Sequence, residues 1–195
     1  MDVDRFEIRL CGSGGQGIIL ASIVLAEAAG IIEGYNVSQT QSYGPEARGG
    51  RCKAVVVISS RQIDYPKAVQ LDMLLAMNQT SCDAYCYDFK PNGLLLVDSD
   101  LVEQPPTSRV VPLPFTKIAR DVADTNLVAN IVALGALGHF CPLLSRQSLE
   151  TALFARIPPK TKKINSKALQ AGIKAAEKFN LDTLPRSIIP EEEEI

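Results

Sequence analysis

Residues Cys52–Ser59 carry Ala-Val-Val-Val-Ile at their centre, and this run limits the fold more than any other segment. A strand with one wet face alternates apolar and polar residues, whereas an unbroken β-branched stretch predicts a strand covered on both faces. Met73–Met77 and the Leu-Leu-Leu-Val of Leu94–Asp98 read the same way. Phe6–Cys11, Tyr35–Gln41 and Val110–Leu113 are further strands, with Ile18–Gly30 a helix that stops at its glycine. Asp64-Tyr65-Pro66 opens a short helix, with proline in the first turn where no N–H is needed. Ser81–Phe89 is helical, Lys90-Pro91-Asn92-Gly93 is a turn and residues 103–109 form a loop. Asn126–Phe140 is apolar nearly all round, so it is buried, either in the core or at a subunit interface. Ser166–Phe179 is the last helix, with Asn165 as its N-cap. Strands alternating with helices predict an α/β three-layer α/β/α sandwich. Strand order stays open at this level.

A chain of 195 residues, 46% of them apolar, can bury one substantial core. We expect a single domain over residues 1–185 and a disordered acidic tail over 186–195, where Glu191–Glu194 stand together. A net charge of −2 gives no basic face for nucleic acid. No apolar run reaches the roughly 18–20 residues that span a bilayer, and the N-terminus lacks a signal-peptide layout. The expectation is a cytoplasmic protein without membrane contact. Cys11, Cys52, Cys82, Cys86 and Cys141 lack C-x-x-C spacing, so buried free thiols are expected and no metal is assigned to this chain.

Two glycine-rich turns carry the functional signal. Gly12, Gly14 and Gly17 fit G-x-G-x-x-G between a strand and a helix, within Gly12-Ser13-Gly14-Gly15-Gln16-Gly17. A dinucleotide fingerprint needs an acid near the end of the second strand, yet residues 34–45 contain neither Asp nor Glu. Two readings remain: the turn cradles another phosphate at the helix N-terminus, or it is only a tight turn. The second turn, Gln41-Ser42-Tyr43-Gly44-Pro45-Glu46-Ala47-Arg48-Gly49-Gly50, adds a guanidinium that can grip an anion, with Arg51 just beyond. Arg48 either binds such an anion, meets a partner subunit or pairs with Glu46, while Tyr43 and Pro45 stiffen the loop. His139 has a structural role, Lys160, Lys162 and Lys163 form a basic loop that is either simply solvated or contacts an adenosine phosphate, and Asp98 with Asp100 reads as turn and cap residues rather than a metal pair.

Taken together, GSGGQGIILAS at 12–22, TQSYGPEARGG at 40–50, IDYP at 63–66 and VDSDLV at 97–102 resemble the gamma subunit of 2-oxoacid:ferredoxin oxidoreductases. The likeness runs over residues 5–176 and is nearest the 2-oxoglutarate or branched-chain type. It implies a mixed, mostly parallel sheet and one subunit of an enzyme that converts a 2-oxoacid and coenzyme A to acyl-CoA and carbon dioxide. Ferredoxin or flavodoxin is the implied electron acceptor. The resemblance also implies alpha and beta subunits that hold thiamine diphosphate and magnesium, and a ferredoxin-like delta subunit or segment with iron–sulfur clusters. We assign no catalytic residue here. Gly12, Gly14, Gly15, Gln16 and Gly17 are expected to meet a phosphate, and Arg48, Gly49 and Gly50 to meet coenzyme A or a partner. The isolated chain is expected to self-associate through its apolar helix and glycine loop. A purely structural subunit and an independent dinucleotide-binding protein are the rival readings.

Overall fold

The computed structural model describes residues 3–44 and 50–187. Six strands form one sheet: β1 Phe6–Ser13, β2 Asn36–Tyr43, β3 Arg51–Ser59, β4 Leu71–Ala76, β5 Phe89–Asp98 and β6 Val110–Leu113, in the order β2-β3-β1-β4-β5-β6. β3 is antiparallel to β1 and to β2, while the β1–β4, β4–β5 and β5–β6 pairs are parallel. The sheet is therefore mixed and mostly parallel, with one strand reversed. Leu10 stands opposite Ala54 on one side and Leu75 on the other, which puts all three on the same face.

That face packs under α1 Ile18–Glu27, α3 Phe115–Ala123, α4 Ala129–Phe140, α5 Arg146–Arg156 and α6 Lys162–Glu177, around a core that includes Ile8, Leu10, Val56, Leu75 and Leu96. The other face meets only α2 Gln79–Tyr85 among these helices, over Cys11, Leu74, Leu95 and Val97. Continuous β-branched or leucine runs in β3 and β5 follow from this coverage on both sides.

Every residue of α4 from Ala129 to Gly138 is buried. Its small residues allow backbone contact with α6: a Cβ on Gly135 would lie 2.2 Å from Leu169 O, and one on Gly172 would lie 1.9 Å from Val132 O. The all-round apolar stretch is thus core, and from Ala129 to Gly138 it offers no exposed apolar face for the self-association expected above.

Four further expectations need correction. Residues 64–66 do not start a helix. Arg5 donates to Tyr65 O (2.9 Å) and Lys67 O (2.6 Å), and the buried Glu7 carboxylate accepts from Val69 N (2.6 Å) and Gln70 N (2.8 Å). Side chains at and just before the start of β1 occupy the backbone groups that a helix would pair internally. Lys90–Gly93 is not a turn between elements but an irregular stretch of β5: Leu71 pairs with Phe89 and Met73 with Leu94. Lys90 Nζ there grips the Asp72 carboxylate at 2.8 Å. α6 begins at Lys162 rather than Ser166, so Lys162 and Lys163 lie in a helix, and Asn165 is inside its first turn with Nδ2 donating to Thr161 O (2.9 Å). Finally, α1 ends at Glu27 and a π-helical turn, Ala28–Ile32, carries the chain to β2. The acidic Glu191–Glu194 falls outside the described residues.

Candidate functional site

From β1 the chain leads toward β2 on one side of the sheet, and from β4 it leads toward β5 on the other. In open α/β sheets such a reversal opens a crevice at the carboxyl ends of the two strands. The first glycine turn lies at the rim of that crevice. Its two expected loops also meet: Gly14 N–H donates to Gly50 O (2.8 Å). Arg48 and Gly49, like Pro45 and Glu46, lie outside the described residues.

Within the turn the residues divide by role. Gly12 is buried in β1, where a Cβ would meet Gln16 Oε1 at 2.8 Å and Ile18 Cγ1 at 2.9 Å. Gly15 (φ +98) and Gly17 (φ +72) hold left-handed backbone, which glycine adopts without steric cost. Gln16 faces inward: Oε1 accepts from Ser13 N (2.7 Å) and Asn78 Nδ2 (2.8 Å), and Nε2 donates to Met77 O (3.1 Å). Asn78 also donates to Ser13 Oγ (2.8 Å) and accepts from Ser81 N (2.8 Å), thereby capping α2 and closing the floor of the crevice. Behind Gly17, Asn130 Nδ2 donates to its carbonyl (3.1 Å), while Asn130 Oδ1 is buried without a partner among the described residues.

What remains free points outward. The N–H groups of Gly15 and Gly17 have no acceptor among the described residues, and the first turn of α1 adds donors that no helical carbonyl can satisfy. A cleft of about 280 Å³ opens there, between Gly15, Leu101, Thr116, Arg120 and Leu127. Arg120, exposed and held by Asn126 Oδ1 (2.6 Å), places a guanidinium on the wall across from the glycine turn. Sequence reasoning misses Arg120, because its helix is remote from the glycine motif in the chain. The only signal is helical spacing at Phe115, Ile118, Ala119 and Val122, which sets Arg120 on the wet side. An open Gly15 N–H and a cation on one cleft, with a helix N-terminus just beyond the turn, suit an oxyanion such as phosphate.

Neighbouring titratable groups support the frame instead. Asp98 accepts from Thr116 Oγ1 (2.5 Å) and Thr116 N (3.1 Å), and Asp100 accepts from Lys117 N (2.6 Å), so both cap α3 as expected. Burial nevertheless holds the Asp98 carboxyl above the ordinary carboxylate range. Burial likewise pushes up the thiols of Cys11 and Cys52, and that of Cys141 to about 11. His139 is exposed at the end of α4, with its ring edge-on to Phe140 at 5.1 Å.

A family model described as pyruvate ferredoxin/flavodoxin oxidoreductase matches residues 7–175. The chain is 43% identical to 2-oxoglutarate synthase subunit KorC of Methanocaldococcus jannaschii over 179 residues, covering 90% of this chain and 96% of that protein. The gamma subunit of a keto/oxoacid ferredoxin oxidoreductase from Geobacter sulfurreducens superposes with a TM-score of 0.81 at 41% identity, covering 93% of this chain and 99% of that one. A 2-oxoglutarate:ferredoxin oxidoreductase from Magnetococcus marinus, with 2-oxoglutarate, coenzyme A and succinyl-CoA bound, shares the fold at a TM-score of 0.79 and 23% identity, over 91% of this chain and 32% of that one.

Proposed function

This chain belongs to the pyruvate ferredoxin/flavodoxin oxidoreductase family, and from that premise we propose that it is the gamma-type subunit of an enzyme that oxidises 2-oxoglutarate. The reaction joins a 2-oxoacid and coenzyme A, releases carbon dioxide and passes two electrons to ferredoxin or flavodoxin. Thiamine diphosphate with magnesium supplies the carbon chemistry when bound, and iron–sulfur clusters carry the electrons; both belong to the alpha, beta and delta partners in this reading. The complex works in the cytoplasm, and residues 1–185 act as one unit. No helix among the described residues is long and apolar enough to cross a membrane.

This chain's own part is to present an oxyanion cleft. Gly15 and Arg120 line the same cleft, with Gly17 and the α1 N-terminus directly following in the chain, and together they receive a phosphate of coenzyme A. That juxtaposition is the observation that carries the reading. Gly12, Gly14 and Gln16 shape the turn, and Gly50, which accepts from Gly14 N–H, directly follows Arg48 and Gly49 in the sequence, which we assign to coenzyme or partner contact. A nicotinamide reading is disfavoured, since the nearest acid before β2, Glu33, is engaged by Ser145 N at 2.9 Å.

One observation favours the purely structural reading: Gln16 and the Gly14 N–H are satisfied inside the chain. Steady-state assay of the assembled enzyme on 2-oxoglutarate, pyruvate and branched-chain 2-oxoacids decides the substrate, with 2-oxoglutarate expected to have the highest kcat/KM. Arg120→Ala in that complex should raise the KM for coenzyme A about tenfold or more, with kcat for the 2-oxoacid largely kept. An unchanged KM would return the cleft to a structural role.

A further inference from the structure

The sheet face turned away from α1 and α4 holds a second pocket of about 430 Å³, between β1, β2, β3 and the segment around Tyr87. Its lining includes three cations, Arg9, Lys53 and Lys67, one carboxylate, Asp88, and the hydroxyls of Thr40 and Ser42. We propose that this pocket is a separate oxyanion site, fitted to a phosphate group.

Arg9 carries the case. It is only 4% exposed, and its Nη1 donates to the carbonyl oxygens of Tyr85 (2.8 Å) and Tyr87 (3.1 Å). Those groups orient the guanidinium but do not neutralise it. Asp88, half exposed, stands 3.6 Å from Nη2, the Tyr87 ring lies 4.4 Å from the guanidinium carbon, and the buried Nε has no acceptor among the described residues. The carbonyls and the ring orient the cation, but the one carboxylate on it is half exposed and Nε stays open, which leaves room for an anion to complete the site. Asp88 holds left-handed backbone (φ 63), the kind of strain that folds retain at binding positions.

The other donors converge by register. Thr40 stands opposite Val55 and Ser42 opposite Lys53 on β3, while Val55 stands opposite Arg9 on β1. Since directly paired residues share a face, both hydroxyls lie on the same side as Lys53 and Arg9. A carboxylate presents one planar edge, whereas tetrahedral phosphate can reach several donors at once and carries the larger negative charge. The excess of cations over the single carboxylate matches such a dianion.

The test is an amide NMR titration of the full chain with inorganic phosphate, and in parallel with glycerol 3-phosphate. Saturable shifts at Thr40, Ser42 and Lys53 are expected. Lys53→Ala and Lys67→Ala, the first half-buried and the second exposed, neither part of the apolar core, should each weaken them about tenfold or more. Arg120→Ala should leave them unchanged, which separates this pocket from the glycine-turn cleft. A tighter response to the ester identifies a phosphorylated small molecule as the ligand, and an equal response identifies the free ion. Absence of saturable shifts, their persistence in both lysine variants or their loss in Arg120→Ala would overturn the site. So would a lysine variant that fails to assemble with partner subunits while the parent shows no phosphate response, which would give the pocket to a partner's carboxylate.

Discussion

Gly15 and Gly17 share one turn and one hand of backbone, yet an added methyl should cost them differently. At Gly17 the Cβ would sit 2.3 Å from Asn130 Nδ2, so strain of about 1–2 kcal/mol is joined by overpacking of about 1–3 kcal/mol. At Gly15 nothing among the described residues lies within 4 Å, and Gly15→Ala should cost only the strain, about 1–2 kcal/mol. Urea unfolding of both variants checks the order, and a larger loss for Gly15→Ala would contradict an open rim. Asp98 offers a test by pH. Its carboxyl is held above the ordinary 3.8 by burial, so the native state binds the extra proton between that value and the folded one. Stability from this group is full below 3.8 and is lost as pH rises through the folded pKa. Asp98→Asn, which keeps an acceptor for Thr116, should therefore gain on the parent as pH rises across that window; parallel urea midpoints from pH 3 to 7 would detect it. At this scale the glycine turn was legible because positive φ and close approach demand glycine at fixed spacing. Arg120 and Asn78 were not, since only the fold brings them to the same crevice.

Between elements, backbone contact of α4 with α6 makes Gly172 the most exacting helical position. A Cβ 1.9 Å from Val132 O must push the helices apart, because the obstacle is backbone and not a movable side chain. Gly172→Ala should cost about 1–3 kcal/mol despite alanine's better helix propensity, and heat denaturation should show a lower Tm. A rise in Tm would mean that the helices yield easily. The buried strands could be read directly, since coverage on both faces leaves β3 and the end of β5 as unbroken apolar runs. Segments governed by distant side chains could not. The 64–70 stretch follows Arg5 and Glu7, whose claim on its backbone lies about sixty residues away in sequence. We assigned no helix to α3 or α5, although both carry local signals. Helical apolar spacing from Phe115 to Val122 marks the first, and Ser145 with its reciprocal partner Ser148 caps the second. In α3 the flanking Pro112 and Pro114 mask that pattern.

For the molecule as a whole, the placement of its thiols decides what it can do alone. Cys52 and Cys141 belong to the core beneath α1 and α4, whereas Cys11, Cys82 and Cys86 pack on the opposite face. The sheet stands between the two groups, so no four thiols can converge on one iron–sulfur cluster, which needs four. Burial also raises the Cys11 and Cys141 thiols, opposing the thiolate form a metal requires. The sequence likewise lacks the Gly-Asp-Gly to Asn-Asn pattern of thiamine diphosphate sites. Electrons drawn from a 2-oxoacid would thus have neither a source nor an exit within this chain. The purified subunit should be colourless, and with thiamine diphosphate, magnesium, coenzyme A and a ferredoxin it should not turn over 2-oxoglutarate. Adding the partner subunits should restore both the broad visible absorbance and the activity, with this chain required in stoichiometric amount. Turnover by the lone chain would refute the division of labour, and full activity of the partners without it would deny this subunit any place in the reaction.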